Sequence, residues 1–212
     1  MIPASLSPAA LQLILDQEVG GGRQYYNRFL LRPDWPGESS GVTIGIGYDL
    51  GYNTPSQIRS DWADLPPDVR DRLAAWSGIS GTSAQHGKAA LHDITVNWDE
   101  ASKVFLAITV PRWIRATCAT FPGAENLPPD AFGSLVSVVF NRGTSLDGPR
   151  RREMRNIAQL CQMAPDTTVD ATLTGIAAEL RSMKRLWPDT RGLRDRREAE
   201  AVLVEKSVPA SI

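Results

Sequence analysis

The sequence predicts an α+β protein: a small β-lobe near residues 23–51 joined to a mostly helical remainder. Three observations carry this. The stretch GVTIGIGYDLG, Gly41 to Gly51, alternates glycine with branched and aromatic residues and reads as a strand. From 55 onward, apolar residues recur at helical spacing as far as 205. An amphipathic helix precedes both, with Leu11, Ile14 and Leu15 as its apolar stripe.

Each element follows from local signals. Ser7 is a suitable N-cap for the first helix and Pro8 suits its first turn. The glycines at 20–22 end it. RQYYNRFLL and the turn-rich PGESSG then lead into the glycine strand, which suggests a hairpin or short meander with a long loop. The helical segments expected after it are 55–62, 66–76, 83–92, 98–117, 129–141, 149–162, 168–186 and 191–205. Pro111 should kink or split the fourth. Pro129 and Asp130 open the most apolar helix, expected at the centre, and Gly143 stops it. No repeat or low-complexity tract interrupts the chain, so residues 1–212 are expected to form one domain with two lobes and a polymer cleft between them.

Composition narrows the function. A net charge of −1 argues against nucleic-acid binding. The charge is uneven: residues 1–140 hold 10 Lys/Arg against 14 Asp/Glu, and residues 141–212 hold 13 against 10. The basic C-terminal part, with the run Arg150-Arg151-Arg152, reads as solvated helix surface or as a face for an anionic polymer. No apolar stretch approaches the ~18 residues of a membrane span, so no membrane insertion is expected. The opening MIPASLSPAALQLILDQE lacks a basic start and a long apolar run, which predicts cytoplasmic synthesis without a signal peptide. Cys118 and Cys161 match neither a disulfide framework nor a metal spacing, and His86 and His92 have no ligand cluster around them. No metal or other cofactor is expected.

The candidate chemistry begins at Glu18. It lies four residues after Ile14, on the apolar stripe, in the helix's last turn. Partial burial and the negative end of the helix dipole both favour a protonated carboxyl, the form a general acid needs. The alternative is a structural glutamate held by Arg142 or Arg155. A second carboxylate could be Asp34, Glu38 or Asp49. Asp34, before Trp35-Pro36, reads as turn chemistry, and Glu38 as a solvated loop residue. If the strand stays extended, Thr43, Gly45, Gly47 and Asp49 share one face, with the glycines leaving a groove for a sugar. Asp49 could instead cap the turn YDLGYN, and positive backbone angles could instead explain the glycines. Tyr25, Tyr26 and Tyr48 could offer hydroxyls to a glycan, and Asn141 and Arg142 could face the cleft. Trp35 and Trp187 are candidates for stacking on sugar, the other four tryptophans for packing.

TIGIG following a helix-terminal Glu resembles the phage-type lysozymes, glycoside hydrolase family 24. Three further stretches are similar to that family in its order: ITVNWDEASKVFLAITVPRWIRAT, AFGSLVSVVFNRGTS and RLWPDTRGLRDRREAEAVLV. The resemblance implies a lysozyme-like two-lobe fold. It also implies hydrolysis of the β-1,4 bond between N-acetylmuramic acid and N-acetylglucosamine, with peptidoglycan glycan strands as partner. Glu18 and Thr43 match family positions. The family's usual aspartate does not: its positions hold Asn27 and Gly37. The pesticin-like muramidase domains are closer, with an Asp six residues after the Thr, which implies Glu18, Thr43 and Asp49 as the catalytic set. The implied protein is a monomer that acts in the periplasm or on the wall after release or export. As an exported toxin it would also meet an immunity protein. Other readings are a hydrolase of chitin or chitosan, and a non-catalytic wall-binding part of a phage or secretion device.

Overall fold

The computed structural model describes residues 6–20, 22–163 and 168–208. They are mostly helical, with one small two-stranded antiparallel sheet, compatible with an α+β class. The chain separates into two compact units: 1–17 with 112–212, and 18–111. The helices of 55–111 therefore group with the hairpin, not with the helical lobe expected from the sequence.

The unit of residues 18–111 begins with a correction. Gly22–Phe29 is a helix, α2, where a β-lobe was expected. Its anchor is Tyr26, fully buried, which donates its hydroxyl to the Val96 carbonyl at 2.9 Å and packs edge-on against Trp98. Arg23 adds a two-pronged contact to Asp99. These tertiary contacts override the strand preference of the paired tyrosines. Tyr26 is thus core, not a hydroxyl offered to a glycan. The sheet is a short hairpin, β1 Thr43–Ile44 and β2 Tyr48–Asp49. After it come α3 (Pro55–Asp61), α4 (Pro67–Ala74), α5 (Gln85–Ala90) and α6 (Trp98–Val104). Reciprocal capping boxes start α3, from Thr54 and Gln57, and α6, from Asn97 and Glu100. A π-helical segment, Phe105–Thr109, follows α6. Pro111 cannot donate to the helix ladder, and the backbone meets that loss with a wider turn just before it.

In the other unit, α1 (Pro8–Glu18) starts as expected, with the Ala10 amide donating to the Ser7 hydroxyl at 3.0 Å. Ala10 and Ile14 are its buried residues. The central helix is α8 (Pro129–Arg142), buried continuously from Ala131 to Val139 and closed by Gly143. A Cβ on its Gly133 would fall 2.1 Å from the Ala10 Cβ, so glycine lets α1 lie directly against it. The remaining helices are α7 (Val110–Thr120), α9 (Arg152–Met163), α10 (Val169–Ser182) and α11 (Arg191–Glu205). α11 packs on α8 and α10, and α10 on α9.

Buried charge in this unit is paired. Glu200, fully buried, accepts from the Ser137 hydroxyl at 2.6 Å, Arg197 at 2.7 Å and Arg196 at 3.4 Å. Glu153, also fully buried, accepts from Arg185 at 2.6 and 3.1 Å, Arg152 at 3.0 Å and Ser182 at 3.2 Å. Among the described residues no helix is long and apolar enough to cross a membrane.

Candidate active site

The glycine stretch does not run on as a strand. It turns back at Gly45-Ile46-Gly47, and Thr43 pairs with Asp49, Ile44 with Tyr48. Gly45 and Gly47 both have positive φ, 58° and 66°, which glycine adopts at little cost. The premise of an extended strand with a glycine groove is therefore overturned. A Cβ at Gly45 would meet the Trp62 ring at 2.7 Å, so the close neighbour there is a core indole. Gly47 is exposed at the turn.

Thr43 and Asp49 nonetheless share a face, for a different reason: they oppose one another across the hairpin. Val42 and Leu50 form the neighbouring hydrogen-bonded pair, with the Leu50 amide donating to the Val42 carbonyl at 2.8 Å. Thr43 and Asp49 thus form a non-hydrogen-bonded pair, the kind whose side chains lie closest. On its other edge Thr43 pairs with Asp34, exchanging two backbone hydrogen bonds of 2.7 and 3.0 Å. Asp34, Thr43 and Asp49 form one rung, a hydroxyl between two carboxylates. Sequence reasoning weighed Asp34 as a second carboxylate and read it as turn chemistry, not as a partner of Thr43. The signal it passed over was symmetry: Asp34 and Thr43 flank the turn-rich WPGESSG as two strand ends flank a hairpin loop.

Asp49 is held by backbone. Its Oδ1 accepts from the Gly51 amide at 2.8 Å and its Oδ2 from the Gly41 amide at 2.9 Å, capping the short helical turn Leu50–Tyr52. The Asn53 side chain secures its carbonyl at 2.7 Å. A Cβ at Gly41 would strike Asp49 Oδ1 at 2.3 Å, and one at Gly51 the Ile79 carbonyl at 2.7 Å. The outer glycines of the stretch make room for this carboxylate and the inner two make the turn. Burial pushes the Asp49 carboxyl above the usual range, against the amides of Gly41, Gly51 and Tyr52, which pull it down. Asp34 forms an ion pair with Lys88 at 2.6 Å.

The other candidates fall as follows. Glu18 ends α1 and is half-buried, on the stripe of Ala10 and Ile14. Tyr48 is buried, donates to Asp61 at 2.7 Å and packs edge-on to Trp62, so as a substrate-binding residue it is corrected to core. Glu38 is exposed at φ 51°, the one non-glycine residue with positive φ among the described residues. Trp35 donates its indole N–H to the Ser40 carbonyl at 3.0 Å and fastens that loop. Asn141 and Arg142 end α8 in the other unit, where the Arg142 guanidinium lies 4.9 Å from the Trp187 ring centre and donates to the Arg150 carbonyl. No protein-family model matches the chain, and no curated protein sequence gives a significant match.

Proposed function

We propose that the chain is a glycoside hydrolase that cleaves the β-1,4 bond between N-acetylmuramic acid and N-acetylglucosamine in peptidoglycan, on a lysozyme-like fold. The observation that supports it most is the rung of Asp34, Thr43 and Asp49. Hydrolysis of a glycosidic bond needs an acid for the leaving oxygen and a carboxylate for the water or for the developing positive charge. Glu18 supplies the acid. The Thr43 hydroxyl orients the water and an adjacent carboxylate takes its proton. Asp49 keeps acceptor capacity beyond the amides of Gly41, Gly51 and Tyr52, since a carboxylate offers about four acceptor sites. No cofactor enters this scheme.

The test is the release of reducing ends from purified peptidoglycan, chitin and chitosan, side by side. Peptidoglycan should be the substrate. Preference for chitin or chitosan would reassign the substrate, and no release from any would favour a non-catalytic wall-binding role. Glu18→Gln should keep the fold and lose about 10²–10⁴-fold in turnover, the usual contribution of general acid–base catalysis. A variant that retains more than about a tenth of wild-type turnover places the acid elsewhere.

A further inference from the structure

A pocket rich in arginine lies wholly within the unit of residues 112–212. It has a volume of about 450 Å3 and is lined by Asn141, Arg142, Asp147, Arg150, Arg151 and Trp187, with Gly148 and Pro149 at its edge. Three of its lining residues are arginines and one is an acid. Several other arginines of the unit are neutralised by carboxylates. Arg181 pairs with Glu198 and Glu205, Arg185 with Glu153, and Arg197 with Glu200. Arg142, Arg150 and Arg151 form no ion pair among the described residues. Their partners are neutral: Arg142 donates to the Arg150 carbonyl at 2.5 Å, Arg150 to the Leu186 carbonyl at 3.5 Å and Arg151 to the Met154 sulfur at 3.2 Å.

The pocket is also held in shape. Arg155 donates to the carbonyls of Leu146 and Gly148 at 2.7 and 2.8 Å, which fixes the loop carrying Asp147. Trp187 lies against the Arg142 guanidinium, with Arg197 5.9 Å from its ring centre. The Arg142 Nε is buried and has no hydrogen-bond partner. A buried guanidinium nitrogen without an acceptor is costly, and so is the crowding of like charges. Burial first, and then Arg151 and Arg197, draw the Arg142 guanidinium down to about 10. Asp147 offsets one of the three charges at most.

We propose that this pocket binds an oxyanion, a phosphate or carboxylate group carried on a larger ligand. Guanidinium groups match both geometries through paired N–H donors. The cavity exceeds a lone ion and leaves room for the group that bears it. The assignment rests on side chains of one unit and does not depend on the hydrolase reading.

Isothermal titration with three probes tests it: inorganic phosphate, glycerol 3-phosphate and N-acetyl-dialanine. At least one should bind the wild-type protein, more weakly as salt rises. Arg142→Gln should weaken binding by about tenfold or more, and Arg151→Gln by less, as expected for loss of charge-assisted hydrogen bonds. Arg194→Gln, which removes an exposed charge outside the pocket, should bind as wild type does. Melting curves check each fold. If Arg142→Gln does not fold, Arg142→Lys, which keeps the charge and loses the planar fork, should still bind more weakly than wild type. Tighter binding of glycerol 3-phosphate than of N-acetyl-dialanine identifies a phosphate ligand, and the reverse a carboxylate. A wild-type protein that binds none of the three overturns the proposal. So does equal weakening by Arg194→Gln and Arg142→Gln.

Discussion

Asp49 and Glu153 are both carboxylates drawn out of water, and the two units treat them in opposite ways. Asp49 is met by backbone amides of Gly41 and Gly51. Glu153 is met by the guanidinium groups of Arg185 and Arg152 and the hydroxyl of Ser182. Burial pushes both carboxyls up. At Glu153 burial is the largest single influence, but the Arg185 hydrogen bonds, a backbone amide, the Arg185 charge and the Ser182 hydroxyl together outweigh it and leave the group below the usual carboxylate range. At Asp49 burial prevails. Amides orient a carboxylate without cancelling its charge, so Asp49 keeps its affinity for a proton. A neighbouring cation removes that affinity and leaves a structural anchor. The first arrangement suits chemistry and the second suits stability.

The comparison is tested hardest at Glu153. Glu153→Gln leaves Arg185 without its anion and puts an amide into a site built for a carboxylate. Arg185 and Arg152 both keep contact with water, so the main cost is the amide NH2 turned toward their donors in a fully buried site, and a clear fall in melting temperature is expected. The pH dependence has a definite sign. A carboxyl held below its unfolded value contributes stability that is present above the unfolded value and lost as pH falls through the folded one. The gap between wild type and Glu153→Gln in denaturant titrations should therefore narrow on acidification. A constant gap would mean that packing, not charge, holds Glu153.

Asp49→Asn comes next. An amide has one acceptor oxygen, so it can serve Gly41 or Gly51 but turns its NH2 toward the other amide. The loss should be about 1–3 kcal/mol, the cost of one unsatisfied buried donor. Here the pH trend reverses. A carboxyl raised above its unfolded value binds more protons in the folded state, so its contribution falls as pH rises through that window. The gap between wild type and Asp49→Asn should widen on acidification, opposite to Glu153→Gln. Two gaps that move the same way would sink the distinction between amide-held and cation-held carboxylates.

Much of this was legible in the sequence. The helices from 55 to 205 follow their apolar spacing and their caps, and α11 falls on the expected residues. Pro111 marked the place where the helical run changes character, and the division into units falls beside it. The shared face of Thr43 and Asp49 also came out, through a spacing of six that fits a hairpin as well as a strand. What local signals could not carry was set at a distance. α2 depends on Val96, Trp98 and Asp99, some seventy residues on from their partners in it. Asp34 reaches Thr43 only because the loop between them closes through a positive φ at Glu38 and the Trp35 indole. The grouping of arginines at Trp187 joins the end of α8 to residues beyond α10, which no window of sequence contains.

The smallest effect is expected at Gly47, and its comparison with Gly45 separates backbone demand from ligand approach. Gly45 and Gly47 both sit at positive φ, where alanine costs about 1–2 kcal/mol. Part of that returns through the unfolded state, about 0.4–1 kcal/mol. Gly47 is itself exposed, so Gly47→Ala should lower stability by about 1 kcal/mol or less. At Gly45 the added methyl also meets Trp62 at 2.7 Å, and overpacking typically adds about 1–3 kcal/mol. Gly45→Ala should therefore melt well below Gly47→Ala. If the proposed hydrolysis is the activity, both should retain it at temperatures where they remain folded, because these glycines serve the turn that sets Thr43 opposite Asp49. A Gly47→Ala protein that melts like wild type yet loses substrate affinity would place a ligand against the turn instead.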